Sequence, residues 1–238
     1  MKFGTLGAIM TTIVGNLHSV QARIVQACVA CGRDARTVQL LAVSKTFGPD
    51  AVREAFAAGQ TAFGENYLQE AVEKMAVLQD LPLQWHCIGP VQSNKTRLVA
   101  EHFDWLHSLD RLRIAERLDA QRPPALAPLN VCIQVNVDGG QTKAGVPPSE
   151  VADLARAVAK LPRLKLRGLM TLPEPPADFA AACAVHGTAH ALFVSLNDAG
   201  FGLDTLSMGM SGDLEAAIHS GSTMVRVGTA LFGGRTAR

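Results

Sequence analysis

The chain has 238 residues, 48% of them hydrophobic, and a formal net charge of +1. This length and apolar content allow a large core without disulfides or structural metals. The balance of 22 basic and 21 acidic residues argues against a nucleic-acid-binding face, and five scattered cysteines indicate a reduced, cytoplasmic protein. No apolar run appears long enough to predict a membrane span, so we expect no membrane segment.

The chain begins with an expected extension followed by a helix. Residues 1–11 contain two glycines and no clear cleavage site, so we predict a disordered extension, with Met1 or Met10 as the true start. A helical pattern follows over residues 12–31. No linker or shift in composition interrupts the rest, so we expect residues 12–238 to form one domain.

Strand-like apolar runs then alternate with helical patterns. The predicted strands are 38–43, 61–64, 84–88, 104–109, 129–137, 164–171, 204–208 and 223–227, and the helices between them are 50–58, 67–79, 93–101, 111–121, 149–161, 178–199 and 212–219. This alternation is typical of a parallel sheet. Eight units within about 200 residues predict a single TIM-type (β/α)8 barrel with an extra N-terminal helix.

The first predicted strand ends on a lysine, Lys45. Lysine is usually exposed, and a long side chain can bury its stem while its amine stays in water. In β/α barrels, however, the active face is formed by the carboxyl ends of the strands, where an amine would point into the mouth. Lys45 is therefore either a surface cation or a placed functional amine.

Small residues follow the last two strands, where barrels commonly bind phosphate. The stretch 207–213, "SMGMSGD", precedes a helix, so its backbone N–H groups and the Ser211 hydroxyl are available to an anion. Gly228 and Thr229 offer further donors after strand eight. The alternative is that Ser211 or Asp213 only caps the helix.

Arg226 lies between two valines in strand eight, which predicts that it points into the barrel. A buried arginine needs a partner, because an unpaired buried charge is very unfavourable. A ring nitrogen of a ligand or an acid would serve.

The histidines provide weaker evidence. His86 lies within strand three. We favour a hydrogen-bonded core histidine over a catalytic one. His186 and His190 have helical spacing but no third ligand nearby, so we predict no metal site.

A lysine, a phosphate site and an inward arginine on one face fit pyridoxal 5′-phosphate (PLP), whose aldehyde condenses with an amine. An aldolase-type Schiff base with a sugar phosphate fits these residues nearly as well.

Six segments resemble a known family over about residues 12–235: "LLAVSKT", "FGENYLQE", "WHCIGPVQSNK", "RGLMTLP", "LSMGMSGDLEAAI" and "GSTMVRVGTALFG". The sequence closely resembles the YggS/PROSC family of PLP-binding proteins, which look like the barrel domain of alanine racemase standing alone. The chain departs from the family at Gly139 and Gly140, where an acidic residue is usual, and the role of that acid is not carried over.

The resemblance implies PLP as the cofactor. It assigns the internal aldimine to Lys45, the phosphate to Ser211, Gly228 and Thr229, the pyridine nitrogen to Arg226, and further pocket contacts to Asn66, His86 and Met210.

The resemblance also implies a function: PLP homeostasis and supply to apoenzymes without robust catalytic activity. No heptad or apolar stripe appears in the sequence, so we expect a monomer. A guanidinium is a poor proton donor, so a pyridine nitrogen facing Arg226 stays unprotonated and the ring is a weak electron sink. The alternative is a PLP-dependent amino-acid racemase. Racemases with this arginine use a tyrosine as a second base, whereas the only tyrosine here, Tyr67, follows strand two.

Overall fold

The computed structural model describes residues 6–140 and 144–234. Within them, eight parallel strands form a closed barrel in sequential order, which confirms the predicted (β/α)8 fold. The strands are β1 (Gln39–Val43), β2 (Ala62–Glu65), β3 (Gln84–Cys87), β4 (Trp105–Leu109), β5 (Leu129–Val135), β6 (Leu164–Thr171), β7 (Thr205–Ser207) and β8 (Met224–Val227).

The helices surround this barrel. They are α1 (Leu6–Ala30), α2 (Pro49–Ala57), α3 (Leu68–Val77), α4 (Thr96–His102), α5 (Leu112–Gln121), α6 (Val151–Val158), α7 (Phe179–Asp198), α8 (Leu214–His219) and α9 (Thr229–Phe232). The helices α4 and α6 begin later than predicted because a short 3₁₀ turn precedes each of them. The four-residue α9 was not predicted, since one helical turn is too short to show a hydrophobic period.

The barrel strands are buried on both faces, which explains their continuous apolar runs. Val225 and Val227 of β8 belong to the large core between the barrel and its helices. Met224 instead packs with Leu41 in a separate cluster. Side chains of a strand alternate between the two faces, so Arg226 shares the inner face with Met224, as predicted.

The helix α1 is the predicted addition to the barrel, and it packs against α2, α8 and α9. It begins at Leu6, before the predicted start at residue 12, because residues 6–11 contain no proline and several good helix formers. Residues 1–5 of the predicted extension lie outside the described residues.

One described helix, α7, is long and apolar enough to cross a membrane by length and composition. This differs from the expectation that no segment reaches that length. The helix connects β6 to β7 and packs against β6 and α8, which is the placement of a barrel helix. Length and composition alone do not establish a membrane span.

Candidate functional site

A cavity of about 370 Å³ opens at the carboxyl ends of the strands. Seven of the eight residues predicted for the site line it: Lys45, Asn66, Met210, Ser211, Arg226, Gly228 and Thr229. They follow or end strands β1, β2, β7 and β8, so the closure of the barrel brings together residues that are far apart in sequence. The cavity is the candidate cofactor site.

The apolar lining of this cavity was not predicted from the sequence. Phe47, Ile88, Met170 and Leu172 contribute to it. They lie near the carboxyl ends of β1, β3 and β6, and position near a strand end was the available signal. Apolar walls favour binding of an aromatic ring of a ligand and limit the access of water to the cavity.

Lys45 lies two residues beyond the end of β1, and its side chain is half-buried at the cavity. The preceding residue, Ser44, is completely buried. This placement favours the functional amine over the exposed surface cation.

Arg226 is buried inside the barrel mouth, with only 5% of its surface exposed. Its Nη1 donates to the Ser207 carbonyl oxygen at 2.7 Å and to Ser207 Oγ at 2.8 Å. Its Nη2 donates to the Thr171 carbonyl oxygen at 2.8 Å. Burial lowers the pKa of Arg226 to about 10, opposed by the charge of Asp213, so the guanidinium stays positive at neutral pH. The arginine is thus held by neutral acceptors while it faces the cavity.

A chain of hydrogen bonds continues from Arg226 into the barrel interior. Ser207 Oγ lies 2.9 Å from His107 Nδ1, and His107 Nε2 lies 2.9 Å from His86 Nδ1. His86 Nε2 lies 3.0 Å from Gln84 Oε1. Gln84 Oε1 can only accept a hydrogen bond, so His86 Nε2 must be the donor to it. We therefore assign the tautomers so that each imidazole donates through Nε2 and accepts at Nδ1. In this assignment, each member of the chain from Arg226 to Gln84 donates to the next.

His86 therefore does not lie at the cavity. It is completely buried, and its ring stacks on Trp105 with the centroids 5.1 Å apart. Burial, and then the charge of Arg167, lower the pKa of His86 to about 3. Ile88, two residues further along the chain, reaches the cavity instead. His86 is thus a hydrogen-bonded core histidine and not a pocket residue. Its position in the middle of β3 places it below the rim of the barrel.

The loop between β7 and α8 is held by side chains from three directions. Asp213 Oδ1 accepts from the Met210 N–H at 2.7 Å, and its Oδ2 lies 2.9 Å from His186 Nε2. These bonds lower the pKa of Asp213 although burial opposes them. Arg23 of α1 donates to the Ser211 carbonyl oxygen at 3.0 Å. Asp213 makes no side-chain capping bond to α8, so it shapes the loop rather than capping the helix.

The polar atoms around the cavity fit a phosphorylated, carbonyl-bearing ring. Among the described residues, the N–H groups of Ser211 and Gly228 donate to no protein acceptor. The buried Oδ1 of Asn66, a lining residue, also has no partner in the described part of the chain. Such atoms are normally hydrogen-bonded. Together with the Lys45 amine, they match the groups that PLP presents.

The fold and the site define a parallel (β/α)8 barrel with a lysine and two loops with free N–H groups at its mouth. Residues 16–236 match the family model described as "Alanine racemase, N-terminal domain". A pyridoxal phosphate homeostasis protein of Pseudomonas aeruginosa is 61% identical over 226 residues, which are 95% of this chain and 97% of that protein. Its counterpart in Escherichia coli is 52% identical over 229 residues, which are 95% and 98% of the two chains. The chain belongs to this family of pyridoxal phosphate homeostasis proteins.

Solved structures agree with this assignment. PipY of Synechococcus elongatus, solved with PLP bound, superposes with a TM-score of 0.81 at 38% identity, covering 93% of this chain and 100% of that one. An alanine racemase of Clostridium difficile has a TM-score of 0.74 at 15% identity, and the match covers 95% of this chain but 58% of the racemase. At that identity, the likeness to the racemase shows the fold alone.

Proposed function

We propose that this chain binds PLP through Lys45 and acts as a non-catalytic carrier that supplies the cofactor to apoenzymes. When bound, PLP supplies an aldehyde that condenses with amines and a ring that accepts electrons. The observation that carries the proposal is the placement of Lys45, Arg226 and the Ser211 and Gly228 loops around one cavity. The amine would hold the aldehyde end and the two loops the phosphate.

The ionisable groups around the cavity support a carrier rather than an enzyme. Among its described lining residues, only Lys45 and Arg226 carry ionisable side chains. Arg226 keeps its proton, so it serves neither as a general base nor as a proton donor to the ring. Proton transfer on both faces of a substrate requires two groups with suitable pKa values, and one lysine supplies only one of them.

The racemase alternative would need a second proton-transferring group in the cavity. Tyr67, the chain's only tyrosine, precedes α3 with about half of its surface exposed, and it does not line the cavity. We therefore expect at most weak racemase-like activity. Sustained racemisation of an amino acid, measured by chiral chromatography and lost in Lys45→Ala, would favour the alternative.

An absorbance spectrum with PLP, followed by borohydride reduction and peptide mass mapping, tests cofactor binding. We expect an imine band and a pyridoxyl mass on the peptide that contains Lys45. Lys45→Ala should lose both, whereas Lys165→Ala, which changes an exposed lysine of β6, should keep them. A wild-type protein that never develops the band would refute the proposed function.

Transfer of PLP tests the carrier role. The loaded protein is mixed with an apo PLP-dependent enzyme, with a phosphatase present to destroy free PLP. We expect the apoenzyme to gain activity faster than it does from the same amount of free PLP. If Lys45→Ala protects PLP from the phosphatase and activates the apoenzyme as well as the wild type does, delivery from this site is contradicted. The cytoplasmic location and the monomeric state remain predictions of the sequence.

A further inference from the structure

The two backbone groups that flank Lys45 are bound by a single polar cluster. The carbonyl oxygen of Ser44, on one side, accepts from Lys74 Nζ at 2.9 Å. The N–H of Thr46, on the other side, donates to Glu70 Oε1 at 2.8 Å. Glu70 Oε1 and Lys74 Nζ are 3.3 Å apart, and both residues lie on α3. One helix therefore holds the chain on both sides of Lys45.

The cluster is anchored in the barrel by Glu65, which ends β2 and is completely buried. Glu65 Oε1 accepts from Lys74 Nζ and from Ser44 Oγ, each at 2.6 Å. Burial raises the pKa of Glu65, and the charge of Lys74 opposes that rise. A buried ion pair often adds little stability compared with apolar packing. An alternative role for the Glu65–Lys74 pair is to hold the chain around it in one conformation.

Thr46 has the conformation that such a cluster can enforce. Its φ is +69°, which makes it the one described non-glycine residue with a positive φ. A residue with a branched β carbon is disfavoured in this left-handed region by roughly five- to thirtyfold in population. Strained backbone of this kind persists where surrounding contacts over-determine it.

We propose that Glu70 and Lys74 are positioning residues, which hold Thr46 in its left-handed conformation and thereby aim the Lys45 amine into the cavity. The inference rests on the proposed function, because correct aim of the amine controls how long PLP is retained. When the Glu70 contact is lost, Thr46 relaxes toward an extended conformation, Lys45 turns with it, and PLP is released faster.

Rescue distinguishes positioning from simple attachment of α3 to the barrel. Glu70→Ala should release PLP to a trapping apoenzyme roughly tenfold faster than the wild type. Adding Thr46→Gly should restore most of the retention, since glycine adopts a positive φ without strain. The matched control is Glu101→Ala, which removes an i, i+4 partner of Arg97 on the neighbouring helix α4 and should leave release unchanged.

Hydrogen exchange of the Thr46 amide in the protein without PLP gives a readout that does not depend on the cofactor. We expect strong protection in the wild type and faster exchange in Glu70→Ala. Unchanged exchange and release in Glu70→Ala would overturn the proposal, as would faster release that Thr46→Gly does not restore. A wild type that forms no imine band would refute the proposed function, and the amide exchange alone would then decide whether Glu70 positions Thr46.

Discussion

The neutral histidine pair inside the barrel predicts a specific loss of stability in acid. Burial lowers the pKa of His86 to about 3, and burial, His86 and Arg226 hold that of His107 well below its usual value. In the unfolded chain, each imidazole gains a proton near pH 6.5. Below that pH the unfolded state binds more protons, so stability falls as pH falls, by about 1.4 kcal/mol per unit for each histidine. Together the two remove about 4 kcal/mol by about pH 5.

Urea unfolding at neutral pH and at about pH 5 measures this loss. The variant His86→Gln/His107→Gln should be less stable at neutral pH, because it disrupts the chain that ends on Arg226. Its further loss on acidification should be smaller than that of the wild type by about 4 kcal/mol. The ¹⁵N shifts of the imidazoles give a direct check. Titration of either His86 or His107 above about pH 5 in the folded protein would contradict this prediction.

Three further predictions concern glycine packing and the loop between β7 and α8. A methyl group on Gly168 would overlap the Thr205 carbonyl oxygen. Gly168→Ala should therefore cost more than about 3 kcal/mol of stability by breaking the pairing of β6 with β7. Gly187→Ala on α7, where nothing lies within 4 Å, should instead stabilise by about 0.5–1 kcal/mol in the same urea assay. Arg23→Ala removes the donor to the Ser211 carbonyl oxygen and should weaken PLP binding about two- to tenfold in a fluorescence titration. Unchanged affinity would show that the loop keeps its shape without the contact from α1.

The periodicity of the sequence was sufficient to predict the barrel. Strands buried on both faces are continuous apolar runs, and the helices between them show their own repeat. The bounds of β6 agree with the prediction, and the other strands differ at their ends by one or two residues. The helix bounds differ by up to six residues at the starts and up to three at the ends. Helix ends fray, and 3₁₀ turns and single-turn helices leave little trace in a hydrophobic pattern.

Most of the site was also predictable, for two different reasons. Lys45 and Arg226 are charged residues within or beside buried strands, and that contrast is visible in a single sequence. The Ser211 and Gly228 loops follow the strands that bind phosphate in this architecture. His86 shows the same contrast, yet it lies below the cavity, because depth along a strand depends on the stagger of the barrel.

The sequence by itself determined the strand order, the face that carries the site and the residues that present charge there, because these follow from local periodicity and from the polarity of parallel strands. Only the tertiary structure decided which residues support them. Glu70 and Lys74 look like an ordinary surface pair on α3, and His107 like an isolated histidine in β4. Their partners come from distant strands and loops, and such long-range hydrogen bonds depend on barrel closure, which no local pattern records.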